Sequence, residues 1–250
     1  MQNTKSRRAQ ASRNPPSELT FVDHAQCLAV SGTLRGKLCD QFTGQRSVQR
    51  VAAGKCLYIA GDRAKSTYYM RKGLLRTSIV SENGKELILR VHQPSDVLGE
   101  LCFCDGLRRE QVLAIEDSEV VPIPFEALIS GLQKNREALS EFIALISQYL
   151  AASYERLPIF FFHTPMERLV STLLKLADEL GAPFGDEIRV VHYFRQEDLA
   201  AMIGAPRQVV SSLLNQLRDL QLVSYHRRGS LTINKEAVKR YLRSINENSA

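Results

Sequence analysis

The chain has 250 residues, 44% of them hydrophobic, and a formal charge of +6, so it can bury a sizeable core in one domain or two. Its longest apolar runs, such as "LPIFFF" at 157–162, fall far short of the roughly 20 residues that a membrane span needs. Five cysteines at irregular spacing do not form a secreted disulfide framework, so no membrane partner and a reducing cytoplasm are expected.

Residues 1–20 read as a disordered basic tail. "MQNTKSRRAQASRNPPSE" carries Lys5, Arg7, Arg8 and Arg13 before its first acid, with no apolar segment behind them to make a secretory signal. Residues 21–135 are assigned to a β domain. Short apolar or alternating runs crowd 42–125: "KCLYIA", "STYYMRKGLLRTSIV", "KELILRV", "DVLGELCF", "EQVLAIE" and "EVVPIPF". Turn signals separate them, the strongest being Asn83-Gly84, a pair that tolerates positive φ at both positions of a tight hairpin. Many short strands at this spacing predict a sandwich, roll or barrel.

The period then changes. Leu139, Ile143, Ile146, Leu150, Ser153 and Leu157 follow one another at alternating intervals of four and three, a heptad seam that predicts a long helix over 136–160. Phe142, Leu145 and Tyr149 make a second flank. One stripe can pack on the β domain while the other meets a second copy in a parallel dimer. Thr164, Pro165 and Glu167 then spell a capping box with proline at the first helical position, opening a helix that ends near Gly181.

Residues 164–250 form the last unit. In "EDLAAMIGAPRQVVSSLLNQLRDLQLV", Leu199, Met202 and Ile203 line one short helical face and Val210, Leu213, Leu214 and Leu217 another. Gly204 permits the tight turn between them, and Pro206 suits the first turn of the second helix. Opposite the apolar stripe of that second helix stand Arg207, Gln208, Ser211 and Ser212, with Asn215 one turn on. All can hydrogen-bond on the face a major groove would meet. Arg207 suits guanine O6 and N7 and Gln208 an adenine edge, each bidentate pair contributing about 1–3 kcal/mol of discrimination. The tip "HRRGS" between two following strands puts His226, Arg227 and Arg228, with Asn215, in reach of phosphates. From Gly204 to Arg243 eight basic residues face only Asp219 and Glu236, a local excess of positive charge suited to double-stranded DNA.

In this order the parts resemble the Crp/Fnr family of bacterial transcription regulators, on the stretches "GDRAKSTYYMRKGLLRTSIVSENGKELILRVHQPSDVLGEL" and "RQEDLAAMIGAPRQVVSSLLNQLRDLQLVSYH". The resemblance implies an α+β fold: an antiparallel β-roll (jelly-roll, cyclic-nucleotide-binding type), a long dimerisation helix and a C-terminal winged helix-turn-helix. It also implies a homodimer on a palindromic operator, with RNA polymerase as a further partner if the protein activates. Members commonly carry glutamate where Gln208 stands and arginine where Ser212 stands, so the operator should depart from the usual half-site.

The same resemblance places an effector pocket on "VLGELCFCDGLRREQVLAIED", residues 97–117. Gly99, Glu100 and Leu101 match the ribose-binding "GEL". Arg108, or Arg109 in a register shifted by one, matches the phosphate-binding arginine, and Ser153 falls near where the family reaches the base. Neither register is followed by the expected small hydroxyl residue. Glu110 and Gln111 stand there instead, and a carboxylate beside a phosphate is repulsive unless it turns away or pairs with Arg108. A signal other than cyclic AMP is therefore expected. The alternatives are a cyclic-nucleotide-dependent regulator, or one modulated by cysteine oxidation or an iron-sulfur cluster. Cys102 and Cys104, two apart in a segment read as extended, are the redox candidates, but the spacing of the five cysteines does not match the family's cluster-binding pattern. The five histidines have no metal-ligand spacing, no catalytic constellation appears, and the sequence requires no cofactor.

Overall fold

A computed structural model describes residues 47–103, 105–225 and 231–247. Eight strands build the N-terminal unit: β1 (Gln49–Val51), β2 (Cys56–Tyr58), β3 (Ser66–Lys72), β4 (Leu75–Val80), β5 (Glu86–His92), β6 (Val97–Leu98), β7 (Gln111–Ala114) and β8 (Ser118–Pro124). They pair antiparallel in two four-stranded sheets, ordered β1-β8-β3-β6 and β2-β7-β4-β5. Alternation sends Val51, Met70, Leu98 and Val120 of the first sheet against Tyr58, Leu75, Val112 and Ala114 of the second, and these eight side chains are the buried filling of the roll.

Two details differ from the sequence reading. The loop joining β4 to β5 is not the two-residue turn that Asn83-Gly84 suggests. Only Gly84 has positive φ (76°), and Ser81 N–H donates to Lys85 O at 2.9 Å, closing a loop around residues 82–84 in the three-residue hairpin pattern. The segment expected as the strand "DVLGELCF" is extended only at Val97–Leu98; a 3-10 turn, Glu100–Phe103, follows it.

Helix α1 (Phe125–Lys134) packs Leu128 and Leu132 on Ile123, with Ala138 of the next helix in the same cluster. Asn135 then caps α2 (Arg136–Phe162) by accepting from Ala138 N–H at 3.1 Å. The two flanks of α2 separate: Leu145 is buried, Phe142 packs on the α1 cluster, and Tyr149 donates its hydroxyl to Val97 O at 3.1 Å. Along the heptad seam Ile143 is 56% exposed and Leu150 51%, with Leu139 and Leu157 similarly open.

The capping box forms as the sequence predicts. Thr164 accepts from Glu167 N–H and the Glu167 carboxylate accepts from Thr164 N–H, opening α3 (Pro165–Leu180) with Pro165 in its first turn. Strands β9 (Gly181–Phe184) and β10 (Glu187–Val190) follow, then α4 (Gln196–Ile203), α5 (Arg207–Asp219), β11 (Val223–Tyr225), β12 (Leu231–Ile233) and α6 (Lys235–Glu247). The sheet of this C-terminal unit runs β11-β12-β10-β9. Gly204 closes α4 in the left-handed region (φ 62°, ψ 41°), while Pro206 stands just before α5 as its cap residue rather than inside its first turn.

Leu199, Ile203, Val210, Leu214 and Leu217 close one core with α3, β10, β12 and Val238 of α6. Leu74 and Ile88 of the roll belong to the same cluster. The helix-turn-helix is therefore docked on the roll, along β5.

Candidate nucleic-acid interface and effector pocket

The apolar stripe of α5 faces its core through Val210, Leu214 and Leu217, so helical spacing turns Arg207, Gln208, Ser212 and Asn215 to solvent, with Ser211 half-buried beside them. The face expected from the sequence to read bases is thus largely open to solvent. Arg207 is not idle there: its Nε lies 3.0 Å from Glu197 Oε1 on α4. The wing strands are present, and Tyr225 at the end of β11 donates its hydroxyl to Phe194 O at 2.6 Å. Burial raises its phenol pKa to about 12, so the group stays a neutral structural donor. His226, Arg227 and Arg228 lie outside the described residues.

The pocket stretch folds around Arg108. Arg108 is only 4% exposed, and its guanidinium donates to Gly99 O at 3.0 Å and to Ser66 O at 2.6 Å. The rings of Tyr58 and Tyr68 lie 4.0 and 5.3 Å from it, within cation–π range. Gly99 has φ +83°, and a Cβ on it would stand 2.4 Å from Arg108 Nη1. The glycine serves this arginine as much as any ligand. Of the two registers, then, Arg108 points inward, whereas Arg109 is exposed and paired with Asp105.

Glu110 does not turn away to solvent. It is 3% exposed, its Oε1 accepts from Tyr58 Oη at 2.9 Å, and its Oε2 has no hydrogen-bond partner among the described residues. Burial first, and the Glu110 carboxylate second, hold the Tyr58 phenol far above its usual pKa. Glu100 is half-buried, and desolvation raises its carboxyl above the ordinary range against the pull of Arg90. Tyr58, Tyr68 and Ser66 escaped sequence reasoning, because only the long-range pairing of β2 with β7 and of β3 with β6 brings them to this loop.

Other expected pocket members do not converge. Leu101 is 45% exposed. Ser153 is exposed and donates to Tyr149 O at 2.8 Å within its own helix. The extended geometry expected around the redox candidates is corrected at Cys102, which sits in the 3-10 turn with its Sγ donating to Gly99 O at 2.7 Å. Burial lifts its thiol to about 11, so little thiolate exists at neutral pH. Cys104 lies outside the described residues. Among the described residues no group of three or more His, Cys, Asp or Glu side chains is placed to hold a metal ion, and no helix is long and apolar enough to cross a membrane.

An antiparallel β-roll joined by one long helix to a helix-turn-helix defines a class of protein, and comparison gives that class a family. Residues 48–135 match the profile of the cyclic nucleotide-binding domain and residues 167–240 that of the Crp-like helix-turn-helix domain. The chain is 29% identical over 181 residues to the anaerobic regulatory protein of Bacillus subtilis, covering 72% of this chain and 76% of that one. It is 28% identical over 190 residues to the cAMP-activated global transcriptional regulator CRP of Escherichia coli, covering 74% and 89%. Its structure is similar to that of a CRP-family transcriptional regulator from Thermus thermophilus, with a TM-score of 0.62, 25% identity and coverage of 77% and 95%. The chain belongs to the Crp/Fnr family: it is a DNA-binding transcription regulator, not an enzyme.

Proposed function

We propose that this regulator binds a palindromic operator as a homodimer and that cyclic AMP is not the signal its roll answers to. The exposed heptad seam of α2 supplies the dimer contact, and Arg207, Gln208, Ser211 and Ser212 read base edges while Asn215, His226, Arg227 and Arg228 hold the backbone. The observation that carries the effector reading is the state of Arg108. Two of its five N–H donors are held by Gly99 O and Ser66 O, and the neighbouring buried acid is Glu110. A cyclic phosphate entering here would compete with both carbonyls for the guanidinium and would lie beside a desolvated carboxylate. The first weakens charge-assisted hydrogen bonds and the second is like-charge repulsion at low dielectric. The E. coli relative, by its name, is activated by cAMP; the two pockets should therefore differ in function within one fold.

Calorimetric titration of the protein with cyclic AMP tests this. No saturable heat is expected below millimolar nucleotide. A dissociation constant in the low micromolar range would overturn the effector reading and leave the DNA-binding one intact.

A further inference from the structure

Arg76, on β4, is 6% exposed although it lies at the edge of the roll's core. Its guanidinium forks between two carboxylates, with Nη2 3.1 Å from Glu86 Oε2 and Nη1 2.9 Å from Asp198 Oδ1. Asp198 is 122 residues away, in the first turn of α4. Its other oxygen, Oδ2, accepts from Arg195 N–H at 2.8 Å, so one carboxylate both starts the first helix of the helix-turn-helix and ties it to the roll. The residue before it, Glu197, holds the Arg207 guanidinium of α5.

The docking face around this fork is continuous. Leu74 and Ile88 share the core of α4 and α5, and the Arg156 guanidinium of α2 donates to Ile88 O at 3.0 Å and to Met202 O, at the far end of α4, at 3.4 Å. On the roll side Glu86 Oε1 accepts from Ser78 Oγ at 2.6 Å and from Gln111 Nε2 at 3.2 Å. Gln111, the first residue of β7, follows Glu110 in the chain. The segment that carries Glu110 into the pocket thus also carries a side chain that holds the carboxylate sharing Arg76.

We propose that Arg76 is a positioning residue for operator reading: through Asp198 it fixes α4, and through Glu197 on the same turn the Arg207 end of α5. A buried ion pair is weak evidence for stability, but a guanidinium forked between two acids sets an angle that an apolar contact would leave loose. Two reading helices must meet successive major grooves about one helical turn apart. If each were free, operator binding would bear the cost of ordering both. Random DNA, held by phosphate attraction, makes no such demand. The docked arrangement leaves the reading face of α5 exposed, so docking is compatible with DNA contact. The inference rests on the reading of α5 as the base-reading helix.

The test uses the full chain, a duplex enriched by the wild-type protein from a random pool, and a random duplex of equal length. The variants are Arg76→Met, Arg76→Lys, Asp198→Asn and the Met/Asn double variant; asparagine keeps an oxygen for the cap. Each of the Met and Asn changes should weaken operator binding roughly tenfold, within the usual range of coupling between sites, with random-duplex affinity held within about twofold. The double variant should be no weaker than the poorer single one, and lysine, which pairs without forking, should recover part of the loss. Operator binding that is unchanged, that rises, or that falls in step with random-duplex binding would overturn the proposal. If Arg76→Met fails to fold, Asp198→Asn and Arg76→Lys decide by the same criteria. An Arg207→Ala control with unaltered base choice would instead sink the reading of α5.

Discussion

Gly99 decides what the pocket can be. With φ +83° and Arg108 Nη1 where its Cβ would go, it admits the guanidinium to a niche that no other residue would leave open. Next to it, Glu100 gives a pH signature. Its folded-state pKa is raised by burial above the unfolded value near 4.5. The unfolded chain therefore releases this proton first, and stability is lost as pH rises through the folded pKa. Glu100→Gln should raise the melting temperature at neutral pH, with the advantage vanishing below about pH 4.5; melting curves across that range check it. On the DNA side, Arg207→Ala should relax choice at one base position, costing about 1–3 kcal/mol of discrimination. Arg228→Ala, by its place in the basic "HRRGS", should weaken binding to all sequences and lower the salt slope by about one. Selection and titration of both variants at several salt concentrations separate the two effects. The sequence alone reaches Gly99, Glu100, Arg108 and Arg207, because register with the motif finds them. It does not reach Tyr58 or the Arg76–Asp198 pair, whose partners lie 52 and 122 residues away and meet only after the sheets and the docking face form.

Helix α2 has one buried flank and one exposed flank. Leu145 is buried on one flank, while Ile143, two residues earlier, is half exposed on the other. Leu145→Ala should therefore cost about 2–5 kcal/mol in denaturant unfolding. Ile143→Asp should leave that unfolding nearly unchanged yet shift sedimentation from dimer to monomer at micromolar concentration. Periodicity makes α2 legible, as capping chemistry does α3 and glycine-punctuated apolar spacing α4 and α5. Where these signals conflict, elements go unread. The hairpin β9–β10 contains Gly181, Pro183 and Gly185, which read as breakers, yet β9 is an edge strand, where a proline costs no ladder bond. Helix α1 is hidden because it begins at Phe125, directly where β8 ends, so its first apolar residue reads as the last of a strand. In the pocket loop, the alternation of "DVLGELCF" suggests a strand, but Gly99 turns the chain into a 3-10 segment that delivers Glu100 and the Gly99 carbonyl inward.

At the scale of the whole molecule, the roll, the long helix and the helix-turn-helix meet along one face built from Leu74, Ile88, Arg76 and Arg156. Positive charge collects at the DNA-reading end, where eight basic residues between Gly204 and Arg243 meet two acids. The architecture is that of a DNA-binding regulator whose N-terminal unit has the fold of a cyclic nucleotide-binding domain, with Arg108 and Glu110 buried in its pocket loop. The most direct test is to enrich operator from a random duplex pool and to measure its binding with and without added cyclic AMP. A two-fold symmetric sequence with half-sites about one helical turn apart is expected, bound by a dimer with the same affinity in both conditions. Failure to enrich any sequence, or binding that appears only when cyclic AMP is present, would contradict it.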